Sequence, residues 1–236
     1  MRMTREKTVI QLTYLPTIFP VNCYLVEEES SLTLVDAALP NNVKAIMKAA
    51  EKLGKPITRI VLTHAHTDHV GALDGLKQLL PEAQVFLSRR DARLLQGDLT
   101  LDQGEASGPI KGSIPKSVRT NPDVLLQDGD HIGSLLAVAS PGHTPGSMSF
   151  LDTRNRILIA GDAFQTRSGV AVSGQLRLLF PFPAIATWDK RTSLASSRRL
   201  IQLNPSVLAA GHGNMIRHPL ELMEKAVAAA ERSLAK

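Results

Sequence analysis

The chain has 236 residues, 43% of them hydrophobic and 21% charged, with a formal net charge of +5. That length and mix suit a chain that buries a substantial core and exclude a disordered or fibrous one. No run approaches the roughly 20 apolar residues of a bilayer span, and the basic residues are dispersed rather than interleaved with aromatics, so neither a membrane nor nucleic acid is expected as partner.

The opening MRMTREKTVIQLTYL lacks an apolar core followed by a small-residue cleavage site, which leads to an expected cytoplasmic location. Cys23 is the only cysteine, so no internal disulfide and no thiolate cluster can form. Three β-rich runs follow in order, TVIQLTYL, VNCYLVEE and SLTLVDAA, separated by turn-prone residues. VKAIMKAAEKL places Val43, Ile46, Met47, Ala50 and Leu53 on one face of a helix that Gly54 ends. ITRIVLT reads as a buried strand, and a helix is expected from about Asp68 to Leu80. AQVFLS is the next strand and RRDARLLQ a short helix.

Gly97 to Asn121 has little periodicity and many Gly, Ser and Pro residues; a segment of this kind is expected to be a functional lid or a mobile insert. DVLLQDGDHI reads as a hairpin turning at Asp128-Gly129, and LLAVAS, SMSFLDT and RILIAGD as three strands. TWDKRTSLASSRRLIQL is a helix, PSVLAAG a strand, and HPLELMEKAVAAAERSLAK a terminal helix. Residues 1–236 read as one domain, with a lid insert at about 97–121 and a variable apolar segment at about 163–186.

The chemistry concentrates in THAHTDH, where His64, His66, Asp68 and His69 follow directly on an apolar strand. Imidazole and carboxylate are ligands that zinc and related divalent ions accept. If residues 64–67 are extended, His64 and His66 point to one side and grip one ion, while Asp68 and His69 turn elsewhere. Further candidates sit at other strand ends: His143 in SPGHTPGS, Asp162 in AGDAF and His212 in AAGHGN. One ion needs only three or four protein ligands, so this surplus argues for two. Asp36, ending SLTLVDAA, reads equally well as an orienter of a ligand or as a turn residue. His131 and His218 read as surface or capping residues.

With these motifs assembled, the chain resembles a metallo-β-lactamase-fold hydrolase over nearly its whole length. The resemblance implies an α/β fold, a four-layer αββα sandwich of two mixed sheets flanked by helices, with metals at one edge. It implies that His64, His66 and His143 bind a first metal, that Asp68, His69 and His212 bind a second, and that Asp162 bridges them. It further implies two divalent ions, zinc first and manganese, cobalt or iron(II) as alternatives. A hydroxide shared between the ions would attack a carbonyl or phosphoryl centre, and Asp68 and Asp162 would be the catalytic carboxylates.

Departures from the known branches narrow the activity. Cysteine-using zinc β-lactamases use a cysteine ligand, whereas Cys23 lies in an early strand and the corresponding position here is Asp162. Glyoxalase-II-like thioesterases carry an added helical domain, for which the 24 residues after His212 leave little room. Acyl-homoserine lactonases of this fold have a tyrosine where this chain has Gln165, and its two tyrosines, Tyr14 and Tyr24, lie in early strands. The expected activity is therefore hydrolysis of a small ester, lactone or thioester with an apolar portion. A mononuclear iron sulfur dioxygenase of the same fold is the alternative, and phosphodiester or weak β-lactam hydrolysis a further one. GQLRLLFPFPAIA, Gly174 to Ala186, is expected to wall the pocket, to pack against a second copy in a homodimer, or to be core. Phe164, Gln165, Leu179, Phe180 and Phe182 are the candidate substrate contacts.

Overall fold

The computed structural model describes residues 1–235. The first half of the chain supplies β1 (Arg2–Glu6), β2 (Val9–Tyr14), β3 (Val21–Glu27), β4 (Leu32–Val35), β5 (Ile57–Val61), β6 (Gln84–Ser88) and β7 (Val124–Leu126), with α1 (Val43–Leu53), α2 (Thr67–Val70), α3 (Leu73–Leu79) and α4 (Arg89–Leu95) between them. The second half supplies β8 (His131–Ile132), β9 (Leu135–Ala139), β10 (Met148–Asp152), β11 (Ile157–Ile159), the short pair β12 (Phe164–Gln165) and β13 (Ala171–Val172), then α5 (Phe182–Ala186), α6 (Lys190–Gln202), β14 (Val207–Ala209), β15 (Ile216–Arg217) and α7 (Leu220–Leu234).

Strands β1 to β7 form one sheet in sequence order, antiparallel at first and parallel from β4 onward. The second sheet runs β15-β14-β11-β10-β9-β8, with one parallel pair between β11 and β14. Both sheets are thus mixed, and the fold is the expected four-layer αββα sandwich.

Strand alternation builds the layers. In β10 and β11, Phe150, Ile157 and Ile159 face the inter-sheet core, where they meet Tyr24, Val35 and Val61 of the first sheet. Leu151 and Leu158 point the other way, onto Leu194 and Leu200 of α6 and Met223 of α7. On the far side of the first sheet, Leu25, Leu34 and Ile60 pack with Ile46 of α1, Leu73 of α3 and Leu94 of α4. Among the described residues no helix is long and apolar enough to cross a membrane.

The structure corrects two expectations and adds one strand. DVLLQDGDHI is not a hairpin: β7 pairs in parallel with β6 in the first sheet and β8 pairs with β9 in the second, so Asp128-Gly129 is where the chain changes sheets. The helix expected from Asp68 to Leu80 breaks into α2 and α3. The His69 carbonyl accepts from Ala37 N–H and Gly71 N–H donates to the Ala38 carbonyl, so these groups serve the neighbouring loop instead of the next helical turn. The charged opening residues form β1, an edge strand in register with β2. Residues 97–121 contain no strand or helix, as expected.

Candidate metal centre

The seven side chains singled out in the sequence converge at one edge of the sandwich. β5 ends at Val61, and after a bend at Thr63 the chain reaches His66, whose extended φ of −77° and ψ of 149° make it the residue before α2. Asp68 and His69 therefore lie in the first turn of α2 while His64 and His66 precede it. His143, Asp162 and His212 arrive in the loops after β9, β11 and β14. His64, His66, His69, His143, Asp162 and His212 are all buried; Asp68 is half-buried.

Three clusters of ligand-type atoms result, each with its members within 4.8 Å of one another: His64–His66–His143, His64–His69–Asp162 and Asp68–His69–His212. The Asp162 carboxylate lies between the outer two. Its Oδ2 is 3.3 Å from His143 Nε2 and 3.2 Å from His212 Nε2, and its Oδ1 is 3.5 Å from His69 Nε2.

The outward nitrogens are tied down, which leaves the inward ones as lone pairs. His69 Nδ1–H donates to Asp36 at 2.8 Å, and His212 Nδ1–H to the Pro20 carbonyl at 2.6 Å. His66 Nε2–H donates to the Lys111 carbonyl at 2.9 Å. His64 Nδ1 meets Thr63 Oγ1 at 2.9 Å, and Thr63 in turn donates to Asp36. His143 Nδ1 meets Ser173 Oγ at 3.0 Å. These partners assign the tautomers. The inward atoms His64 Nε2, His69 Nε2 and Asp162 Oδ1 are buried with no hydrogen-bond partner. His66 Nδ1 and His143 Nε2 face each other at 3.0 Å, lone pair toward lone pair. Orphaned acceptors gathered in this way are costly alone and fit a divalent cation.

The electrostatics agree. Burial disfavours a proton on His69, but Asp162, Asp36 and Asp68 outweigh it and hold its pKa up at about 10. For His143 burial dominates and pushes the pKa down to about 3. Burial also opposes the charge on Asp162, yet His212, His69 and His143 hold its carboxyl well below the usual carboxylate range. The three carboxylates thus create a negative potential that protons or cations must neutralise.

A cavity of about 420 Å³ opens over this centre. His66, Asp68, His143, Asp162 and His212 form its floor, and Phe19, Leu39, Phe182, Pro183, Ile185 and Ala186 its apolar wall. Thr67, Gly112 and Ser113 close another side, which puts part of the 97–121 segment at the rim. Of the five candidate substrate contacts, only Phe182 lines the cavity. Phe164 is buried against α6 and α7, because its place in β12 turns it into that core. Gln165 is buried, with no hydrogen-bond partner for its amide. Leu179 is 85% exposed, and Phe180 sits behind the wall with its ring centroid 5.3 Å from that of His212. Phe19 and Leu39 come from turns whose sequence carries no periodic signal. Asp36 occupies the orienting position, bonded to both His69 and Thr63. Tyr24 lies beneath the His212 loop, its hydroxyl donating to the Ala210 carbonyl at 2.6 Å.

Comparison with known proteins places this arrangement. The Bacillus subtilis (strain 168) protein YobT is 58% identical over 98% of this chain and 100% of its own length. The hydroxyacylglutathione hydrolase GloC of Haemophilus influenzae is 28% identical, over 84% of this chain and 88% of that protein. The crystal structure of TTHA1623 in a di-iron-bound form is similar with a TM-score of 0.66 at 27% identity, covering 89% of this chain and 96% of that one. The model of the metallo-beta-lactamase superfamily matches residues 16–212, which contain all seven converging side chains, and the chain belongs to that superfamily.

Proposed function

We propose that this chain is a dinuclear metal-dependent hydrolase acting on a small ester, lactone or thioester with an apolar portion. The observation that carries the reading is the Asp162 carboxylate, which faces His143 on one side and His69 and His212 on the other, at the floor of an apolar-walled cavity. His64, His66 and His143 would hold one ion, Asp68, His69 and His212 the other, and Asp162 would bridge. The donor set of imidazole and carboxylate suits zinc, and it also suits manganese, cobalt and iron. When bound, such ions supply Lewis acidity and bring the pKa of a bound water toward neutrality.

The chain's own residues do the rest. Phe19, Leu39, Phe182 and Ile185 offer apolar surface to the non-reacting part of a substrate and exclude water from that side. Asp68 is the most exposed of the seven, and its Oδ2 lies 3.5 Å from His212 Nε2 and 3.8 Å from His69 Nε2. Burial opposes its ionisation, but those two imidazoles hold its pKa below the ordinary value. It is therefore an anion at the cavity floor, placed to accept a proton during turnover. The name of GloC, a hydroxyacylglutathione hydrolase, supports a thioester or ester among the candidates.

Metal analysis of protein purified without chelator tests the reading. Two divalent ions per chain, with turnover of an ester, lactone and thioester panel, are expected. Asp162→Ala should lower occupancy of both positions together, and His212→Ala mainly that of the second. A single iron per chain with oxygen consumption on thiol substrates would replace this reading by sulfur oxidation.

A further inference from the structure

Asp91 is fully buried, lines no part of the cavity and is not among the clustered ligand atoms. It lies in the first turn of α4, where its backbone N–H donates to the Oγ of Ser88 at 3.0 Å, and Ser88 caps the helix. In a capping box the acidic side chain at this position reaches back to the cap residue. Here it reaches away from the helix. Oδ2 accepts from the N–H of Ala65 at 2.9 Å and from the hydroxyl of Thr144 at 2.7 Å, and Oδ1 accepts from the N–H of Gly146 at 2.8 Å.

Ala65 is the residue between His64 and His66, and Thr144 is the residue after His143. One carboxylate therefore ties together the two loops that carry the first ligand cluster. No Lys or Arg side chain forms a salt bridge with it among the described residues. A buried carboxylate without a paired cation is a poor device for stability alone, since apolar packing would do better. The three donors that converge on it offset part of the cost of its burial, and all three come from the ligand loops. Gly146 is part of the same fit: a Cβ there would lie 2.5 Å from both Asp91 Oδ1 and Ser88 Oγ, so any larger residue would push the His143 loop off the helix.

We propose that Asp91 is a positioning residue that holds the His64/His66 loop and the His143 loop in register, and so sets the geometry of the first ligand cluster. The proposal rests on reading that cluster as a metal site. The second cluster is anchored elsewhere, His69 by Asp36 and His212 by the Pro20 carbonyl. Loss of Asp91 should therefore affect the two metal positions unequally, which a general loss of stability would not do.

The test is titration of the metal-free full-length protein with Co²⁺, followed by absorption, and competition of the loaded protein against a chelator. The wild type, Asp91→Asn, Thr144→Val and a core control, Leu76→Ala, are compared. Asn at 91 keeps the size but presents an NH₂ group to backbone donors. Thr144→Val removes one of the three donors and leaves the carboxylate. The expected result for Asp91→Asn is a 10–100-fold weaker first position with the second unchanged, and a smaller shift of the same kind for Thr144→Val. Leu76→Ala should lower the Tm and leave both affinities alone. Equal affinities in Asp91→Asn and wild type would overturn the proposal, as would a parallel loss at both positions. A wild type that takes up no metal would instead overturn the metal-site reading, and the proposal with it. If Asp91→Asn does not fold, Thr144→Val decides between the same outcomes.

Discussion

Asp36 Oδ2 accepts the Nδ1–H of His69 at 2.8 Å, and its Oδ1 accepts the backbone N–H of Thr63 at the same distance. Both side chains are buried. One carboxylate thus orients a residue of the second cluster directly and, through Thr63, the His64 ring of the first. It also fixes the His69 tautomer that presents Nε2 inward. Asp36→Ala is expected to weaken metal binding by about 10–100-fold, with the second position affected most. Competition with a chelator measures this. Unchanged affinity would assign Asp36 to the turn alone.

Gly112 stands where the 97–121 segment crosses His66. Its φ is +89°, and a Cβ there would lie 2.1 Å from His66 Nε2, a steric clash. Lys111, one residue earlier, accepts the His66 Nε2–H, and Ser113, one residue later, accepts from the Thr67 N–H at 2.8 Å. Gly112→Ala is expected to lift this stretch from the centre. Faster amide hydrogen exchange at Thr67 and weaker metal binding at the first cluster should appear together. Faster exchange with unchanged metal affinity would show that the stretch rests on His66 without holding it.

The buried Asp91 has a consequence for pH. Desolvation is the leading effect, and its pKa rises to about 6 in spite of the bonds from Thr144, Ala65 and Gly146. An unfolded aspartate titrates near 3.9. Between those values the folded chain binds more protons at this residue than the unfolded chain does, so its contribution to stability falls as pH rises through the window. The full effect is on the order of 3 kcal/mol. Chemical denaturation of metal-free wild type and Asp91→Asn at pH 4 and pH 7 isolates it. The variant should gain relative to wild type on going to the higher pH. A constant difference would mean that Asp91 keeps an ordinary pKa.

What could be read from the chain alone was whatever depends on residue type or local period. The helix over Val43–Leu53 follows from its apolar spacing and the Gly54 stop, and the αββα layering follows from the family that the histidine motifs resemble. The convergence of His64, His143 and His212 was legible because each follows an apolar strand and because few side chains other than imidazole, carboxylate and thiolate ligate metals. The DVLLQDGDHI segment misled because nothing local distinguishes a turn within one sheet from a crossing between two. Phe164 misled because apolar character does not say which side of a two-residue strand faces a cavity. Phe19 and Leu39 gave no signal, since turns place them there and turns have no period. Asp91 carries no local signal beyond that of an acid at the start of a helix, because its partners in the ligand loops lie 26, 53 and 55 residues away.

The converging side chains divide between the two halves of the sandwich. His64, His66, Asp68 and His69 follow β5 of the first sheet, while His143, Asp162 and His212 follow strands of the second. An ion held by both groups is therefore a cross-link across the seam, tying residues far apart in the chain as a disulfide would, in a protein whose single cysteine cannot form one internally. Neither half can assemble the centre alone, so a chain severed between the sheets would recover the site only when its two fragments meet, and the metal would be the rivet that keeps them together.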